Sequence, residues 1–112
     1  MKILTPIILA LALIIPILPN AYAQSTNEIL IVSDESEKED KYQPSPFTIK
    51  AGDTIVWVNK DFGTHTITED NGLFGSDYLR PDETFRYTFN SSGTFDYHCK
   101  VHPTMTGRVI VS

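Results

Sequence analysis

From Tyr42 to Val111 the sequence is cut by Pro, Gly, Asn and Asp every few residues, and the runs between are short and rich in β-favouring side chains. No stretch sustains the three-to-four-residue apolar spacing of a helix, so the pattern predicts an all-β sandwich or barrel. Residues 54–59 are apolar on both faces and predict a central strand. Phe85, Tyr87 and Phe89 share the inner face of the next run, and Asn90-Ser91-Ser92-Gly93 turns the chain into residues 94–99. There Phe95, Tyr97 and Cys99 alternate inward while Thr94, Asp96 and His98 face out. The last strand, 108–111, contributes Val109 and Val111. Upstream, residues 28–32 read as a first strand. The acidic run 34–40 has no apolar side chain to bury and reads as a solvated loop, with docking of a basic partner as the functional alternative.

The first 23 residues follow a different logic. Met1 and Lys2 make a basic start, residues 3–18 are apolar apart from Thr5, and Ala21-Tyr22-Ala23 offers a small-x-small cleavage site. The reading is a signal peptide, residues 1–23, and a domain of residues 24–112 that works outside the cytoplasm, in a periplasm or on an extracytoplasmic face. The apolar run is short for a span and is interrupted by Pro6, Pro16 and Pro19. Retention of this segment as an anchor is the alternative, and the one route to a membrane association. The remaining residues suffice for one compact core. The whole chain carries a net charge of −5. That sign speaks against a nucleic-acid partner.

Cys99 is the single cysteine, so it has no partner within the chain. Its neighbours suggest a use for the sulfur. Cys99, His102 and Met105 fall within seven residues at the end of a predicted strand. Residues 64–68 alternate as a strand that turns His65 and Ile67 inward and Thr64, Thr66 and Thr68 outward, making His65 the one other histidine predicted to face inward. A thiolate, two imidazoles and a weak thioether form the donor set of an electron-transfer copper site. Taken singly, each has a structural explanation: a buried thiol, a hydrogen-bonded strand histidine, a gap-filling methionine. The spacing Cys-x2-His-x2-Met together with an upstream histidine favours ligation by all four. His98, adjacent to the cysteine, points to the opposite face by strand alternation and is set aside as a ligand.

The run from Gly93 through Tyr97, Cys99 and His102 to Met105 resembles the cupredoxins, in particular their plastocyanin-like and amicyanin-like members. Residues 51–59 and 80–89 carry the same resemblance, which covers residues 44–111. The two-residue gap between His102 and Met105 is similar to that of amicyanins. The resemblance implies a Greek-key β-sandwich with His65, Cys99 and His102 as strong ligands and Met105 as a distant axial one. It also implies that the edge of His102 lies near solvent within an apolar patch, for which Phe62 and Pro103 are the candidates. Thr64 and Thr66 stand where the family often has proline and asparagine. A threonine at 66 keeps a backbone N–H for the sulfur but removes the asparagine side chain that links to the ligand loop.

The function these readings support is one-electron transfer by a single type 1 copper cycling between Cu(II) and Cu(I), in a monomer that docks transiently with a redox donor and acceptor. No acid–base pair or substrate pocket suggests an enzyme. The alternatives are a copper carrier or storage protein and a small copper oxidoreductase, the latter opposed by a methionine in the axial place.

Overall fold

The computed structural model describes residues 27–112, so the proposed leader, residues 1–23, lies outside the described residues. Among the described residues eight strands form two four-stranded sheets: β1 (Asn27–Asp34), β2 (Glu39–Gln43), β3 (Phe47–Ile49), β4 (Thr54–Asn59), β5 (Thr68–Glu69), β6 (Thr84–Thr88), β7 (Gly93–His98) and β8 (Thr106–Val111). One sheet has the order β2-β1-β4-β6 and the other β3-β8-β7-β5. From β2 to β7 each connection crosses from one sheet to the other. The result is an all-β sandwich with the crossovers of a Greek key.

β4 is central, paired in parallel with β1 and antiparallel with β6, and residues 55–59 are buried as their apolar pattern requires. Trp57 and Tyr97, from opposite sheets, are both fully buried and meet edge-to-face with ring centroids 5.5 Å apart. Tyr42 packs on the other side of Tyr97 at 4.7 Å. Phe89, Cys99, Val109 and Val111 join the same core, and Phe85, Tyr87 and Phe95 close its edge half-buried. The inward alternation predicted for these strands is the observed one.

The acidic run departs from its expected form. Residues 34–40 are not a free loop: β1 continues to Asp34, β2 begins at Glu39, and the two pair antiparallel as a hairpin. Asp34 makes this possible. Its Oδ1 accepts the amides of Ser36 at 3.0 Å and Glu37 at 3.3 Å, while Oδ2 meets Lys41 Nζ at 2.8 Å. These contacts hold the Asp34 carboxyl far below the usual carboxylate range, Lys41 contributing most. A turn fixed by a side chain needs no apolar residue, so the pattern of burial did not reveal it.

The short segment around His65 is the second departure. A strand over 64–68 was expected; an isolated bridge between His65 and Leu79 and the two-residue β5 are what form. Thr66, predicted to face out, is buried beside His65 and Ile67. Strict alternation fails here because both faces of this segment are covered.

Gly107 tests the core directly. It pairs with Tyr97 across β7 and β8, and a Cβ built at this position would overlap the tyrosine ring. Gly107→Ala therefore displaces Tyr97 from between Tyr42 and Trp57 and should cost about 1–3 kcal/mol of unfolding free energy. Denaturant unfolding of the metal-free protein measures this. An unchanged midpoint would mean the two sheets are less tightly packed around Tyr97 than described.

Candidate metal centre

The four candidate side chains are carried by two connections of the sandwich. His65 lies in the β4–β5 connection, Cys99 directly follows β7, and His102 and Met105 lie in the loop leading to β8. The β4–β5 connection is pinned by His65 itself: its amide donates to Leu79 O at 3.1 Å and its carbonyl accepts Leu79 N at 2.8 Å. The loop 99–105 is closed by Met105 N donating to His102 O at 2.8 Å and Cys99 N donating to Met105 O at 3.1 Å. His65 and Cys99 are fully buried, Met105 is buried, and the His102 side chain is 46% exposed. The rings of His65 and His102 have centroids 5.1 Å apart.

The orientation of His65 follows from its neighbours. Nε2 lies 2.8 Å from Asp61 Oδ2, and a carboxylate can only accept, so Nε2 carries the proton. The lone pair is left on Nδ1, which faces Cys99 Sγ at 3.7 Å. That separation is long for a hydrogen bond from a thiol. It is the distance between a nitrogen at ~2.0 Å and a sulfur at ~2.3 Å from one first-row ion, with an angle of about 120° between them. Nδ1 and Sγ are thus spaced as two donors to one centre would be. Cys99 Sγ also accepts the amide of Thr66 at 3.4 Å, a contact that holds the sulfur in place.

Asp61 is held in its turn. Asp61 N donates to Asn59 Oδ1 at 2.9 Å, and Asn59, fully buried, donates through Nδ2 to Gly63 O at 2.8 Å and Leu79 O at 2.9 Å. Gly63 N donates to Asp61 Oδ2 at 3.1 Å. A Cβ at Gly63 would stand 3.2 Å from that oxygen, so glycine leaves the space in which Asp61 meets His65. The hydrogen bond from His65 leads the contacts that hold the Asp61 carboxyl below its ordinary range. Carboxylate, imidazole and metal in line is the arrangement that orients a histidine ligand and raises its basicity.

Thr66 supplies the link that an asparagine would otherwise make. Its Oγ1 accepts Lys100 N at 2.9 Å and contacts Thr68 Oγ1 at 2.9 Å, and its carbonyl accepts Tyr42 OH at 2.6 Å. Burial pushes the Tyr42 hydroxyl well above its usual range, so it remains a donor. His98 lies on the opposite face, with Nδ1 2.6 Å from Asp70 Oδ1. Phe62, next to Asp61, is 97% exposed, and Val101 and Pro103 are exposed beside His102.

Asp40, His65 and His102 also bring one possible donor atom each within 4.8 Å of one another. This second grouping uses the Nε2 side of His65, which Asp61 already occupies. The Nδ1 side faces the sulfur and has its lone pair free for a metal. Asp61, Asn59 and Asp40 carried no ligand signal in the sequence. The compact spacing Asp61-x-Gly63-x-His65 is the one sequence signal for a turn that returns a carboxylate to the histidine.

The family model described as cupredoxin-like domain matches residues 7–111. Amicyanin of Paracoccus versutus is 37% identical over 98 residues, covering 83% of this chain and 72% of its own length. A purple cupredoxin from Nitrosopumilus maritimus superposes with a TM-score of 0.70 and 31% identity, over 77% of this chain and 99% of its own. An amicyanin variant in a reduced Cu(I) form superposes at 0.66 with 28% identity, over 78% and 82%.

Asp61→Ala frees the His65 ring and leaves its Nε2–H without an acceptor. Metal affinity should fall by roughly 10–100-fold, measured by competition with a chelator; unchanged affinity would show that Asp61 does not orient the ring. The same contact has a pH signature in the metal-free protein. Because the folded-state pKa of Asp61 is depressed, its stabilisation is present above ~3.9, the unfolded value, and is lost as pH falls through the folded value. Acid unfolding of Asp61→Asn should lack that contribution, and identical pH profiles would contradict it.

Proposed function

The chain belongs to the cupredoxin-like family, and from that premise we propose that it carries one electron at a time on a single type 1 copper held by His65, Cys99, His102 and Met105. The observation that carries this reading is the His65 Nδ1–Cys99 Sγ separation of 3.7 Å, with Nε2 of the same ring committed to Asp61. Copper, when bound, supplies the Cu(II)/Cu(I) couple. The chain's own residues fix the donors beforehand. Asp61 holds the tautomer of His65, Thr66 N–H holds the sulfur of Cys99, and the backbone bonds of loop 99–105 keep His102 and Met105 together. Donors held by the fold rearrange little when the charge of the metal changes, and small rearrangement favours fast transfer.

His102 is the part of the proposed donor set that reaches solvent, between the exposed Val101 and Pro103, and the exposed Phe62 follows Asp61 in the loop that carries His65. We assign that surface to brief docking of a redox donor and acceptor, since small apolar contacts with few charges release quickly. Met105, buried in the same loop as His102, would take the axial place in this reading and so opposes an enzyme with an open coordination position. Work outside the cytoplasm is supported by the basic, apolar and small-x-small pattern of residues 1–23.

Cu(II) added to the purified protein should give an intense blue absorption with narrow copper hyperfine splitting in electron spin resonance, bleached reversibly by a reductant. Cys99→Ser should abolish the band. A colourless protein, or a spectrum indifferent to Cys99, would refute the assignment, whereas rapid surrender of copper to a moderate chelator would favour a carrier or storage role.

A further inference from the structure

Asp40 sits on the β1–β2 hairpin, in the acidic run that the sequence left as a solvated loop. The fold gives it a specific place. Its register partner on β1 is Ser33, whose hydroxyl donates to Asp40 Oδ1 at 3.2 Å. Oδ2 is left pointing at the metal centre, 3.8 Å from His65 Nε2 and 3.9 Å from His102 Nε2. Neither distance is a hydrogen bond. Both are short for a charge beside two rings whose opposite nitrogens are proposed to hold copper.

The neighbouring cations do not cancel this charge at close range. Lys41, next in sequence, is committed to Asp34 at 2.8 Å and Glu37 at 3.9 Å. Lys38 lies at the rim of the cleft between hairpin and ligand loop, together with Asp40, His102, Thr104 and Met105. Asp61 is the other carboxylate at His65, but its charge is engaged by hydrogen bonds from Gly63 N and the ring itself. Asp40 is therefore the carboxylate that faces both histidines without bonding to either.

We propose that the acidic hairpin supplies Asp40 as a positioning residue of the copper centre, an oriented negative charge that favours Cu(II) over Cu(I) and lowers the reduction potential. This rests on the copper reading above. The sign follows from Coulomb's law: a nearby anion stabilises the more positive metal state, and it does so through the imidazoles that carry part of that charge. Its side chain is 26% exposed, so solvent screens the effect without removing it.

The test is spectroelectrochemical titration of the copper-loaded protein against Asp40→Asn, with Glu35→Gln as control. Both substitutions remove one negative charge from the same hairpin, and Glu35 lies in the exposed turn. At the potential where the parent protein is half reduced, Asp40→Asn should raise the Cu(I):Cu(II) ratio about fivefold, or roughly 40 mV at ~59 mV per decade. Glu35→Gln should leave it within a factor of about two of the parent, as expected for a screened charge. Asp40→Ala should move it in the same direction as Asp40→Asn. Equal shifts in Asp40→Asn and Glu35→Gln would overturn the proposal, as would loss of copper from the Asp40 variants alone. Absence of a blue centre in the parent protein would instead overturn the copper reading on which the proposal stands.

Discussion

Thr66 fastens the loop that carries His65 to the loop that carries Cys99. Its amide donates to the sulfur at 3.4 Å and its hydroxyl accepts Lys100 N at 2.9 Å, while Tyr42 secures its carbonyl from the other side at 2.6 Å. These contacts join the crossover that follows β4 in one sheet to the end of β7 in the other. Beyond the two-residue pairing of β5 with β7, they are what limits the freedom of the two loops and so fixes the approach of Nδ1 to sulfur. Ordering such loops costs on the order of 1–2 kcal/mol per residue, which the packed sandwich and these bonds together offset.

The core and the centre are parts of one arrangement. Tyr97, two residues before Cys99, is wedged between Tyr42 and Trp57, so the strand that ends in the cysteine has little freedom to slide. Asn59, at the end of β4, is buried and bonded on both sides, and it sets the turn that brings Asp61 back to His65. Charge is then placed around the rings in two ways. Asp61 fixes which nitrogen is free, and Asp40 adds a field from outside. His102, the proposed ligand that reaches solvent, has the exposed Val101 and Pro103 as chain neighbours and the acidic hairpin across the cleft from it.

Much of this was legible in the sequence because it rests on periodicity and local spacing. The central strand 54–59, the inward Phe95-Tyr97-Cys99 stripe, the outward His98 and the clustering of Cys99, His102 and Met105 all follow from a period of two or from proximity along the chain. What was not legible depends on hydrogen bonds between polar side chains and backbone. The acidic run folds into a hairpin because Asp34 caps its turn, and no hydrophobic pattern reports that. Thr66 is buried although alternation sends it outward, because tyrosine and ligand-loop groups cover both sides of its segment. Asp40 and Asp61 reach the histidines from positions 25 and 4 residues upstream of His65, and in sequence they look like any other surface acid.

The central claim is that the fold holds His65 with Nδ1 toward Cys99 and Nε2 on Asp61 before any metal arrives. A crystal structure of the copper-loaded protein tests this most directly. The claim predicts coordination through Nδ1, with the Asp61 contact still near 2.8 Å and the Nδ1–Sγ separation still near 3.7 Å. Coordination through Nε2, with Asp61 displaced from the ring, would contradict it and would move the metal to the side of Asp40.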